Sequence, residues 1–131
     1  GFVFDRMQHD PHGNPAYGAY GTCTEDGAAW AWRIQQYVQN HGLHSQFVDQ
    51  ASFESIKNAI DNNWPVVLST QLSSAGHLIL VRGYFSNNQT LICNDPWGNA
   101  AAPNYGHLLN GENVHYGYSF VKAKWMVIVK P

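Results

Sequence analysis

Residues 76–98 read GHLILVRGYFSNNQTLICNDPWG, two apolar runs that each begin or end on a polar residue capable of chemistry. The first, His77-Leu78-Ile79-Leu80-Val81, is aliphatic and β-branched and stops at Gly83. The second, Thr90-Leu91-Ile92-Cys93, stops at Asn94-Asp95-Pro96. Between them Ser86-Asn87-Asn88-Gln89 is dense in turn formers, so the stretch predicts an antiparallel hairpin. A turn near Asn87 puts His77 within a residue or two of facing Asp95. An imidazole and a carboxylate then share one end of a sheet. A carboxylate on one ring nitrogen fixes the tautomer and leaves the other nitrogen free as a base. The same spacing equally fits a strand-edge histidine and a turn aspartate with local roles only.

Outward from the hairpin, Val66-Val67-Leu68-Ser69-Thr70 predicts a central strand, with Pro65 at its first residue, where no ladder hydrogen is owed. Ser52 caps a helix with an apolar stripe of Phe53, Ile56 and Ile60, ended by Asp61-Asn62-Asn63. Leu43 to Val48 suggests a short strand. Thr22-Cys23-Thr24-Glu25 matches a capping box, and a helix is expected from there to about Asn40, stopped by Gly42. After Gly98 a loop runs from Asn99 to Asn113, with a turn at Asn110-Gly111. Val114 to Phe120 is ambiguous, and Trp125 to Val129 predicts a closing strand. Helices first and mostly strands afterwards give an α+β class, an antiparallel sheet with helices packed against it. The 131 residues make one domain, long enough for a core.

Charged residues are 12% of the chain and aromatics 14%, with a formal charge of −2. That balance gives no electrostatic footprint for nucleic acid or an anionic membrane. No apolar run approaches the ~18 residues of a membrane span. Low charge with many Asn, Gly and Tyr suits a secreted or cell-surface bacterial protein.

His9 and His12 stand three apart in a loop rich in turn residues, but no helix presents them and no third ligand is evident, so no metal site is expected. His41 and His44 flank the expected helix stop and are assigned to solvent. Cys23 and Cys93 fit no metal-site spacing. They are compatible with one disulfide, yet Cys93 is expected to face the core of its strand. Cys23 would sit in the first helical turn, where the dipole and free N–H groups favour a thiolate.

Taken together, the helix from Ser52 to Ile60, then NNWPVVLST, AGHLILVRGY and LICNDPWGN, resembles the second half of papain-like cysteine peptidases. The likeness is greatest to the bacteriocin-processing (double-glycine leader) peptidases and their exported bacterial relatives. Trp64-Pro65-Val66-Val67 resembles the family's G-x-P-V strand start. Gly76, His77, Val81, Gly83 and Tyr84 match its G-H-x-x-x-V-x-G-Y strand, and Ile92 to Pro96 resembles its V-x-D-P strand end. The resemblance covers residues 52–98 well and the remainder loosely. It implies a papain-like fold or its C-terminal portion, with His77 as general base and Asp95 as the group that orients it.

The first half departs from that pattern. The family nucleophile is a Cys opening a helix, followed by Gly or Gly-Pro, with a Gln several residues upstream. Here Thr24-Glu25-Asp26-Gly27 follows Cys23, and the nearest upstream Gln is Gln8. Two alternatives stand. Either Cys23 is the nucleophile of a minimal peptidase, or the nucleophile helix precedes Gly1 and Thr22 to Asp26 matches the family's next helix start. The chemistry implied is acyl transfer to a thiolate on a peptide, a leader sequence or a cell-wall peptide, with no metal or organic cofactor. Tyr17, Tyr20, Trp97, Tyr105 and Tyr116 either line an aromatic cleft or pack in the core. The rival class is a non-catalytic papain-like module that binds peptide or glycan in the same cleft.

Overall fold

A computed structural model of the chain describes residues 31–131 apart from 75, 104 and 107–109. In order these residues form α1 (Ala31–Asn40), β1 (His44–Val48), α2 (Phe53–Asp61), β2 (Val66–Thr70), β3 (His77–Phe85), β4 (Thr90–Asn94), β5 (Val114–Gly117), α3 (Tyr118–Val121) and β6 (Met126–Lys130). The strands make one six-stranded sheet in the order β1-β6-β2-β3-β4-β5, with every neighbouring pair antiparallel. The class is therefore α+β, and β2 is central. Val114 to Phe120, ambiguous in sequence, divides at Gly117 into a strand and one short helix. The expected helix start at Thr22 lies outside the described residues.

Alternation along the strands sends side chains to two different cores. Val66 and Leu68 of β2, Ile79 and Val81 of β3, and Met126 and Ile128 of β6 join Phe53, Ile56 and Ala59 of α2 on one face. Val127 of β6 points the other way, against Ile34 and Val38 of α1, with Val67, Leu78 and Val129 partly buried beside it. Helices thus cover the sheet from both sides. Each fully buried side chain of the size of Ile56 contributes about 1.5–3 kcal/mol relative to an exposed one. Ser52 caps α2 as expected, its Oγ accepting from the Ser55 N–H at 3.1 Å.

The hairpin β3–β4 turns through Ser86 to Gln89, and Gln89 adopts a left-handed φ of 49°. Its register holds a feature that apolar spacing did not reveal. Gly83 pairs with Ile92 and Val81 with Cys93, so Arg82 has no cross-strand partner. This one-residue bulge switches the face on which β3 side chains emerge. Beyond it, Tyr84 faces the α2 core opposite Leu91; before it, Val81 and Ile79 do. The shift carries His77 to the same face as Leu91, Cys93 and Asp95. Regular pairing from the turn would have sent His77 to the opposite side.

Candidate active site

Gly76, at φ +88°, turns the chain into β3, and the Ser73 hydroxyl donates to the Gly76 carbonyl at 2.7 Å. His77 opens the strand opposite Thr70, whose buried hydroxyl donates to the His77 carbonyl at 2.8 Å. The backbone that carries the imidazole is held from both sides.

Asp95 lies just past β4, at the start of the long β4–β5 connection. Its N–H donates to the Gly111 carbonyl at 2.8 Å, and its own carbonyl accepts from Gly98 N–H at 3.2 Å. Gly111 is needed there for close approach: a Cβ on it would lie 1.8 Å from the Asp95 oxygen. The turn expected at Asn110-Gly111 falls instead on Glu112 and Asn113, where Asn113 takes φ 55°.

The two side chains meet with His77 Nε2 2.7 Å from Asp95 Oδ1. They meet diagonally, because the ladder that pairs Leu80 with Asn94 would bring Trp97 opposite His77. Both are buried: His77 is 9% exposed and Asp95 4%. The carboxylate accepts three further hydrogen bonds, from Trp97 N–H to Oδ1 at 2.9 Å and from the Tyr105 and Tyr116 hydroxyls to Oδ2 at 2.9 and 2.8 Å. Burial pushes the Asp95 carboxyl pKa up, but the bonds from His77, Trp97, Tyr116 and Tyr105 outweigh it and the net shift is downward. An ionised carboxylate only accepts, so in the neutral imidazole Nε2 carries the proton and Nδ1 the lone pair. Among the described residues nothing bonds Nδ1.

The Peptidase_C39 like family has a model that matches residues 4–122. The chain belongs to this family. It is thereby a cysteine peptidase-like domain, and its described residues carry the histidine and carboxylate gathered at one sheet end. A search of the curated proteins finds no match to the chain.

Within this Peptidase_C39-like domain Cys93 is a free thiol of the core, 0% exposed. Burial, with the Asp95 charge adding to it, pushes its pKa up to about 12. It is an inert packing residue. Cys23, His9, His12, Tyr17 and Tyr20 lie outside the described residues. His41, just past α1, bonds the Tyr37 carbonyl of that helix at 2.9 Å and lies against the Tyr37 ring. Among the described residues no three His, Cys, Asp or Glu side chains gather as a metal ion would require, and no helix is long and apolar enough to cross a membrane.

The aromatic residues divide by role. Trp97 lies over His77 with ring centroids 4.4 Å apart and is 43% exposed, so it shields the pair while presenting its outer face to solvent. Tyr105 meets the His77 ring edge-on at 5.8 Å. Tyr116 is buried in the core with its hydroxyl on Asp95. Sequence reasoning placed these three in a cleft or a core and missed the hydroxyl bonds. The signal was available for Tyr116, which shares the core face of its strand with Val114, because a buried phenol needs a polar partner. On the β2–β6 side of the same sheet end, an open depression is lined by Asp49, Ser52, Tyr118, Lys124 and Trp125. It adjoins Ser69, which exchanges backbone hydrogen bonds with Lys124 and Trp125.

Proposed function

We propose that this domain is the base-bearing part of a papain-like cysteine peptidase, of the bacteriocin-processing type or its exported bacterial relatives. Its substrate is a peptide amide, in a leader sequence or a cell-wall peptide. The observation that carries this is the buried 2.7 Å contact between His77 Nε2 and a carboxylate whose other bonding sites are filled. That arrangement leaves Nδ1 as the proton acceptor.

The reaction runs as acyl transfer. Nδ1 of His77 takes the proton of a cysteine thiol, and the thiolate adds to the amide carbonyl carbon. As the C–N bond breaks, the imidazolium returns that proton to the departing amine. Water then attacks the thioester, giving its proton to Nδ1. Collapse frees the carboxylic acid, and the thiolate recovers a proton from His77. Asp95 stays ionised throughout and stabilises the imidazolium. The thiol is Cys23 or a cysteine N-terminal to Gly1 in the full-length protein. The sequence around Cys23 favours the latter, since Glu25 and Asp26 repel a thiolate.

The test is peptide hydrolysis by the full-length protein and its variants. Activity abolished by His77→Ala and by thiol alkylation supports the assignment. Retention of activity in Cys23→Ala places the thiol upstream. A full-length protein that binds peptide but cleaves none, with the His77→Ala variant binding equally, would overturn it. That outcome would favour the non-catalytic module, for which the exposed face of Trp97 is the specific support.

A further inference from the structure

Only one oxygen of Asp95 faces His77. The other, Oδ2, is held by two phenols from different elements: Tyr116 on β5 at 2.8 Å and Tyr105 on the β4–β5 connection at 2.9 Å. We propose that Tyr105 and Tyr116 are positioning residues, a clamp that keeps Asp95 ionised and turned so that Oδ1 faces the Nε2–H of His77. This deepens the proposed function, which supplies its consequence, but the clamp can be observed without turnover.

The need for a clamp follows from burial. A carboxyl out of water is driven toward its neutral form unless hydrogen bonds favour the charge. A neutral Asp95 would donate its proton to Nε2. His77 would then hold its own proton on Nδ1, and the nitrogen needed as base would be lost. Two O–H donors on Oδ2 oppose that outcome, because they bond best to a full negative charge. They also leave no site on Oδ2 for a proton.

The donor direction of Tyr116 is set by its surroundings. Its oxygen accepts the Ala100 N–H at 2.8 Å, which directs its one proton elsewhere. The Gly98 carbonyl lies 3.3 Å away and Asp95 Oδ2 2.8 Å, so the charged, nearer acceptor takes it. Tyr105 is braced by edge contacts to both His77 and Trp97, each at 5.8 Å. Burial and the Asp95 charge raise both phenols above their ordinary range, so both are protonated donors at neutral pH.

The experiment is a carbon-13 NMR titration of the Asp95 carboxyl in the wild type, Tyr105→Phe, Tyr116→Phe and the double variant, with amide spectra to report the fold. The Asp95 midpoint should rise in each single variant and further in the double. An unmoved midpoint in natively folded Tyr105→Phe would overturn the clamp. Because Tyr116 is a core residue and Tyr116→Phe can lose the fold, the phenol carbons are also titrated in the wild type and in Asp95→Asn. Both phenols should ionise at lower pH in Asp95→Asn, and unchanged phenol titrations would overturn the proposal. These shifts in a protein that cleaves no peptide would support the clamp and count against the peptidase assignment.

Discussion

Gly111 lies so close to the backbone of Asp95 that a methyl group on it would come 1.8 Å from the Asp95 carbonyl oxygen and 2.9 Å from its carbonyl carbon. Both obstacles are main chain, which no rotamer change relieves. Gly111→Ala should therefore displace Asp95 from His77 and cost stability near the top of the usual ~1–3 kcal/mol for overpacking. Gly117→Ala is the control, since a Cβ there meets only Phe120 at 4.0 Å. Urea unfolding should separate the two variants clearly, and the His77–Asp95 coupling should survive only in the control.

Arg82 has no partner in the hairpin ladder, and its extra residue is what turns His77 toward Asp95. Deleting Arg82 restores regular pairing on one side of the hairpin at the expense of the face on the other. The expected result is loss of the His77–Asp95 contact in NMR spectra together with marked destabilisation. Arg82→Ala keeps the bulge and removes only the exposed bond to Asn113 Oδ1. It should leave the contact intact.

Much of this site was legible in the sequence. The apolar runs and the Ser86–Gln89 turn gave the hairpin, and the hairpin brought His77 and Asp95 to one end. Ser52 and its stripe gave α2. The bulge at Arg82 was only half legible: a Gly inside a strand run signals a bulge, but Gly83 fits the end of the apolar run from His77 equally well, and only the structure carries the strand on to Phe85. Gly111 looked like a turn residue beside Asn110, while its work is close approach to a strand end sixteen positions earlier in the chain. Tyr105 was equally hidden. Its partner is fixed by how a long connection folds back, which no periodicity encodes.

Acid should remove part of the stability. Unfolded, the Asp95 carboxyl titrates near 3.8; folded, it titrates lower. Between those two values the unfolded chain binds more protons. Stability from this group is thus fully present above 3.8 and is lost as pH falls through the folded value. Asp95→Asn lacks this component. At neutral pH it should cost about 1–3 kcal/mol, because an amide cannot accept on both sides from Tyr105, Tyr116 and His77. Urea midpoints measured from neutral pH into acid should fall less for Asp95→Asn than for the wild type.

The two cysteines should differ in reactivity. Cys93 is fully buried with its pKa pushed up to about 12, so alkylation requires opening of the fold. Cys23 should alkylate faster than Cys93 in native protein, and the difference should vanish in denaturant. Cys93→Ser should cost about 1–3 kcal/mol by burying a hydroxyl among apolar neighbours.

The ring tautomer of His77 tests the proposed chemistry most directly. Nitrogen-15 NMR of the imidazole, followed through its deprotonation, distinguishes a proton on Nε2 from one on Nδ1. Neutral His77 should carry its proton on Nε2, toward Asp95 at 2.7 Å, with Nδ1 bearing the free lone pair. Asp95→Asn should weaken that preference. A neutral His77 with its proton on Nδ1 in the wild type would contradict its assignment as the base.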